Sequence, residues 1–251
     1  MIRKRLAAGI RAAVLAAVLG AVMGGTAMAA GMAENDRDLV TGPGAQNQTE
    51  EHEQTGTFDV NRFVLPEEAR VLVVVEGTGA SACNAYAFER GENGWELRMQ
   101  TGGYLGLNGM SNHRTEGDKT TPIGVFQMNT PFGQDAPLEG FPANYIQVDE
   151  TYIWSQDSNR LVRDLSASGE QVGTAGYAEH YDYVIDAGYN RNAVPKAGSA
   201  LFLHCIGQGK TYTSGCVSIP KEEMAKVMRL YGTYGDGACY IAQAPAGTFE
   251  L

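Results

Sequence analysis

The 251-residue chain carries 29 acidic against 19 basic residues, a formal net charge of −10. Arg3, Lys4, Arg5 and Arg11 are the only charged residues before position 30, so losing that segment would take the charge to −14. That sign excludes nucleic acid and anionic membrane as partners, since both demand Lys/Arg patches; otherwise it serves solubility.

The first 29 residues read as a signal peptide. Met1-Ile-Arg-Lys-Arg5 is basic, Ala12 to Gly25 is apolar, and Ala27-Met-Ala29 is an A-x-A cleavage signal. The apolar run is too short and too rich in Ala and Gly for a comfortable membrane span, and no cysteine follows it to take a lipid. The expectation is a secreted protein of a bacterial cell envelope, with no stable span after cleavage. Residues 30–57 carry Glu34, Asp36, Asp38, Glu50, Glu51 and Glu53 around Gly42-Pro-Gly44, with few apolar residues and no periodicity. They read as a disordered acidic linker, with His52 inert within it. Residues 58–251 read as one β-rich domain.

Arg70-Val-Leu-Val-Val-Val-Glu76 is a buried-strand pattern. Ala82–Glu89 alternates and stops at Gly91-Glu-Asn-Gly94, a hairpin signal, after which Trp95–Thr101 returns. These three strands predict an antiparallel meander. Residues 102–119 look loop-like, and Asp118 suits an Asx-type turn. The chain then turns through Thr121-Pro122 into a strand over Ile123–Met128. Residues 129–145, rich in Pro and aromatics, suggest an extended surface loop. Tyr145–Val148 and Tyr152–Trp154 suggest short strands, and Ser155–Arg160 an exposed polar segment. Tyr181–Asp186 alternates again. Pro220 opens a helix with Glu222 and Glu223 in its first turn. Met224, Val227, Met228 and Tyr231 form its core face, and Gly232 and Gly235 stop it. Cys239–Ala242 is the last strand. His113 and His180 share no ligand-spacing motif with His204, so no metal is expected.

The chain is organised around Ala200–Ile219: an apolar strand, a Gly/Thr/Ser loop, and a short strand opening with a cysteine. Strand alternation places Phe202, His204 and Ile206 on one face and Leu201, Leu203 and Cys205 on the other. If the second segment pairs back as a hairpin, His204 and Cys216 meet across it. An imidazole beside a thiol turns a cysteine into a thiolate nucleophile near neutral pH. Ser214 and Gly215 leave room for amide N–H groups to face an oxyanion. Four cysteines in a secreted chain admit two disulfides, or one with free thiols. A nucleophile requires Cys216 to be free, and Cys83 with Cys239 is the simplest pair. Cys205 reads as a small apolar core residue. Tyr189, Tyr212 and Trp154 either line a groove or pack.

His204, Thr213-Ser-Gly-Cys-Val217 and the upstream Gly117-Asp-Lys-Thr-Thr-Pro-Ile-Gly124, in that arrangement, resemble the L,D-transpeptidase catalytic domain (YkuD family), over roughly residues 70–245. Tyr189-Asn190 before the catalytic strand adds to the resemblance. It implies a mainly β, mixed-strand sandwich with one or few short helices. It also implies a cysteine acyltransferase, with no cofactor, acting on peptidoglycan stem peptides. Cys216 would be the nucleophile and His204 the base, with Ser214, Gly215, Tyr189 and Asn190 in the oxyanion and substrate pocket. The implied reaction cleaves an L-to-D peptide bond through a Cys216 thioester, then forms a cross-link. Alternatives are an L,D-carboxypeptidase hydrolysing the same bond and a non-catalytic wall-binding module. The chain departs from familiar members in having Ser214 where they carry His and Ser218 where they carry Arg, and in placing Cys205 after the histidine where many have Gly.

Overall fold

The computed structural model describes residues 58–249, all within one compact unit, Glu50–Leu251. The signal peptide and the whole of the acidic linker read from the sequence lie outside the described residues. The strands, in chain order, are β1 (Val71–Gly79), β2 (Ala82–Gly91), β3 (Gly94–Tyr104), β4 (Met110–Ser111), β5 (Thr121–Pro122), β6 (Gly124–Gln127), β7 (Asn129–Gly133) and β8 (Ile146–Gln147). They continue with β9 (Ile153–Ser155), β10 (Arg160–Val162), β11 (Gly169–Glu170), β12 (Val184–Asp186), β13 (Phe202–Cys205), β14 (Val217–Ile219) and β15 (Cys239–Pro245). One α-helix, α1 (Lys221–Tyr234), and two single-turn 3-10 segments complete the described chain, which is mainly β and mixed, as the resemblance implied.

Ten strands form one sheet in the order β6-β15-β1-β2-β3-β14-β13-β12-β7-β8. The predicted meander β1-β2-β3 is antiparallel throughout, and its second hairpin closes with Gly91 opposite Gly94. Alternation divides the core by face. Val71, Val73, Val75, Leu203, Cys205 and Ile219 meet Met224, Val227, Met228 and Tyr231 of α1. On the other face, Leu72, Val74, Tyr86 and Phe88 form one cluster, and Phe132, Trp154, Phe202 and Cys216 another. The second of these carries the site.

Five expectations are corrected. First, β13 and β14 are not a hairpin. They pair in parallel, Leu203 with Val217 and His204 with Ser218, because β14 is claimed on its other edge by β3, Ser218 opposite Tyr104. Parallel neighbours need a crossover, and residues 206–216 provide it. Second, residues 129–145 are not all surface loop: β7 joins the main sheet beside β12, with Phe132 fully buried. Third, Ser155 and Asn159, expected to be exposed, are buried. Fourth, Gly232 does not stop the helix but sits inside it, where a Cβ would lie 2.2 Å from the Gly140 carbonyl oxygen. Gly235, with φ +76°, caps the end. Fifth, all four cysteines are free and buried. Cys83 lies opposite Gly77 at one end of β1 and Cys239 opposite Val71 at the other, on different flanking strands, so they cannot be bridged.

Candidate active site

Parallel pairing decides how Cys216 reaches His204. Running the crossover back along β13 brings Cys216 beside the start of that strand. Its Sγ accepts from the Phe202 N–H at 3.3 Å and donates to the Ala200 carbonyl at 3.3 Å. His204 lies further along the same face, opposite Ser218. Both side chains line one groove of about 500 Å³, with Ser214, Ser218, Tyr212, Tyr177, Tyr181 and Glu170.

The cysteine loop is held from three sides. Thr213 Oγ1 accepts from the Gly215 N–H at 3.0 Å and donates to the Cys216 carbonyl at 2.7 Å. Thr121 Oγ1 donates to the same carbonyl at 3.3 Å and accepts from the Gly106 N–H at 2.9 Å. Thr121 belongs to the Gly117–Gly124 motif, which explains why that motif accompanies the cysteine. Asp118 shapes it further, accepting from the Thr115 N–H at 2.6 Å and from both the N–H and Oγ1 of Thr120 at 2.8 Å. Burial disfavours its charge, but these donors overcome that, and its carboxyl sits below the ordinary range. Gly215 is at φ +136°, where an added Cβ would meet the Thr120 carbonyl at 2.8 Å and Arg114 Nη1 at 2.9 Å. Only glycine fits there.

The two candidate catalytic side chains are neutral at rest. Burial pushes the Cys216 thiol up to about 12 and the His204 imidazole down to about 4. The two side chains make no hydrogen bond to each other. A carbonyl only accepts, so the 2.8 Å contact between His204 Nδ1 and the Cys205 carbonyl places the proton on Nδ1. Nε2 is left as the basic nitrogen. The ring is held edge-on by Tyr181 at 5.4 Å and by His180 at 6.2 Å between centroids.

Of the remaining residues singled out by sequence, Ser214 is exposed at the groove and Tyr212 lines its rim. Tyr189 and Asn190 stand behind it. Tyr189 packs edge-on against Phe126 and faces the Arg114 guanidinium at 5.8 Å. Asn190, at φ +52°, ties its own loop by accepting from the Val194 N–H at 2.9 Å and donating to the Gly198 carbonyl at 2.8 Å. Trp154 is core.

Sequence reasoning missed three groups. Asn159 accepts from Trp154 Nε1 at 2.8 Å and from the Ala200 N–H at 3.1 Å, and donates to the carbonyls of Tyr189 and Asn190. It thereby fixes Ala200, a non-glycine residue at φ +53°. Arg114 is a buried cation in the groove wall, its side chain 2% exposed. Nε and Nη1 have no hydrogen-bond partner, and Nε lies 3.9 Å from Asp118. Glu170, at the end of β11, accepts from the Tyr181 hydroxyl at 2.8 Å. Arg114 and Glu170 are single charges without periodic context, and only the fold brings them to Cys216.

No group of His, Cys, Asp and Glu among the described residues is arranged to hold a metal ion. No helix among them is long and apolar enough to cross a membrane. A comparison with curated proteins finds no match. Among family models, that of the L,D-transpeptidase catalytic domain, YkuD, matches residues 70–233, from the first core strand almost to the end of the helix. That stretch is well over half the chain and holds Cys216, His204 and the Gly117–Gly124 motif: the protein belongs to the YkuD family of L,D-transpeptidase catalytic domains.

Proposed function

We propose that the protein is a secreted cysteine acyltransferase of a bacterial envelope that cross-links peptidoglycan stem peptides, an L,D-transpeptidase. The observation that carries this reading is the shared groove. It holds a free thiol, an imidazole with its proton on Nδ1, and a buried cation.

His204 Nε2 takes the Cys216 proton as Sγ attacks the carbonyl of an L-to-D peptide bond in a donor stem. Because both partners are neutral at rest, proton transfer accompanies attack and is not completed beforehand. The Gly215 N–H is occupied by Thr213, so the adjacent amides of Ser214 and Cys216 serve the oxyanion. The Arg114 charge offsets the developing anion and does from another loop what an Arg at position 218 would do. His204 returns the proton to the leaving D-amino acid, and a thioester remains. An amine of a second stem then attacks it, restoring the thiol and closing an amide. Hydrolysis, the carboxypeptidase outcome, shares the first half-reaction.

Intact-mass measurement after incubation with a tetrapeptide stem tests the reading. An adduct with loss of the terminal D-residue, localised to Cys216 and abolished in Cys216→Ala, is expected. Sacculus binding without any adduct would leave only a wall-binding module.

A further inference from the structure

We propose that Glu170, aimed by Tyr181 and flanked by Tyr177, is the subsite for the acceptor amine, a primary ammonium on an aliphatic side chain. It thereby directs the acyl-enzyme toward aminolysis rather than hydrolysis. The inference rests on the acyltransferase reading above.

Glu170 stands in the wall of the groove that contains Cys216 and His204. Its Oε2 accepts from Tyr181 at 2.8 Å, while Oε1 has no hydrogen-bond partner among the described residues. Tyr177 and Tyr181 stack with centroids 4.7 Å apart and planes 3° from parallel. Tyr181 also touches the His204 ring edge-on. The carboxylate is therefore one aromatic ring away from the catalytic imidazole, above an apolar face suited to a methylene chain.

The groove's cations, Arg114, Lys119 and Lys210, form no ion pair with Glu170. Burial instead raises its carboxyl above the ordinary range, and the nearby Glu116 adds to this. A half-buried anion without a counter-ion is costly. Here it is also adverse to the first half-reaction, because after burial its charge is the largest influence raising the Cys216 thiol. Both costs disappear once Cys216 carries a neutral acyl group and an ammonium enters.

The bound ammonium gives one proton to the Glu170 carboxylate and becomes a free amine. Its lone pair attacks the thioester carbon, the C–S bond breaks, and an amide forms. Of the two protons left on the amine nitrogen, one passes by way of His204 to the departing Cys216 sulfur and the other stays in the amide N–H, and Glu170 releases its proton to water. Water as nucleophile carries no charge, so the electrostatic attraction of Glu170 concentrates the ammonium and not water.

The test compares wild type with Glu170→Gln, using a tetrapeptide donor and either Nα-acetyl-lysine amide, a cationic amine, or hydroxylamine, neutral at pH 7. In E170Q, thioester formation at Cys216 is expected to speed up. The aminolysis-to-hydrolysis ratio with the lysine derivative should fall on the order of tenfold, the scale of one charge pair in a partly buried site. The hydroxylamine ratio should hold, and E170D should retain the lysine preference. In wild type, which needs no variant to fold, added salt should lower the lysine ratio but not the hydroxylamine ratio. A thioester that forms with an unchanged lysine ratio in E170Q, or ratios that fall together for both nucleophiles, overturns the subsite alone. A wild type that forms no thioester overturns the acyltransferase reading and the subsite with it.

Discussion

Replacing Asn159 offers the most direct check on how the site is held. Its side chain satisfies two buried donors, the Trp154 indole N–H and the Ala200 N–H, and two carbonyls on the half-exposed Tyr189–Asn190 turn. Water can replace Asn159 at the turn. It cannot reach the indole of Trp154, which is 1% exposed. Stranding a buried donor costs about 1–3 kcal/mol, so losing both destabilises by about 4 kcal/mol. Asn159 is also at φ +48°, where alanine adds about 1 kcal/mol and glycine adds none. Asn159→Gly isolates the hydrogen bonds, and Asn159→Ala minus Asn159→Gly isolates the backbone. For a folded region of this size about 4 kcal/mol lowers Tm by roughly 8–16 °C. Urea denaturation of the two variants measures it, and alkylation of Cys216 reports on the site, since a released Ala200 carbonyl no longer holds the thiol. A loss below about 1 kcal/mol in Asn159→Gly, with unchanged alkylation, would refute the reasoning.

Two further predictions concern charge. His204 is depressed in the folded state to about 4 from an ordinary 6.5 by burial. Between those values the unfolded chain takes up a proton that the native chain refuses. Stability is thus present above pH 6.5 and lost as pH falls toward 4, by about 3 kcal/mol for one group of this shift. Asp186, raised by burial to about 7, acts with the opposite sign, losing stability as pH rises toward 7. The His204 contribution is therefore read as wild type minus His204→Gln across pH 4–7; a flat difference contradicts it. Arg114→Met should leave stability equal or raise it by up to about 2 kcal/mol, because it removes a buried cation whose Nε and Nη1 are unpartnered. The pH profile of Cys216 alkylation should move upward, because the Arg114 charge favours the thiolate. Marked destabilisation with an unmoved profile would make Arg114 a structural residue only.

What was legible in the sequence is instructive residue by residue. The runs 71–75 and 82–89 were readable as strands because a two-sided or alternating apolar pattern depends only on local period. Gly91 and Gly94 marked their hairpin for the same local reason. The helix face Met224–Tyr231 followed from 3.6-residue spacing. Gly232 misled because a glycine that admits a neighbouring backbone looks, in one dimension, like one that ends a helix. Asn159 misled because a polar residue in a polar segment gives no sign that tertiary donors surround it.

The sequence by itself determined the mainly β class and the strand that carries His204, which rest on periodicity within short stretches. It put Cys216 forward as the chemical partner of His204 from residue types and from the family resemblance that Gly117–Gly124 completes. Only the tertiary structure decided that β14 lies parallel to β13, since that depends on which strand takes its other edge. The same holds for Thr121 on the Cys216 carbonyl, Asn159 under Ala200, and Arg114 and Glu170 in the groove wall. These contacts join residues 41 to 95 positions apart in two cases, and no local pattern encodes where a distant loop will close.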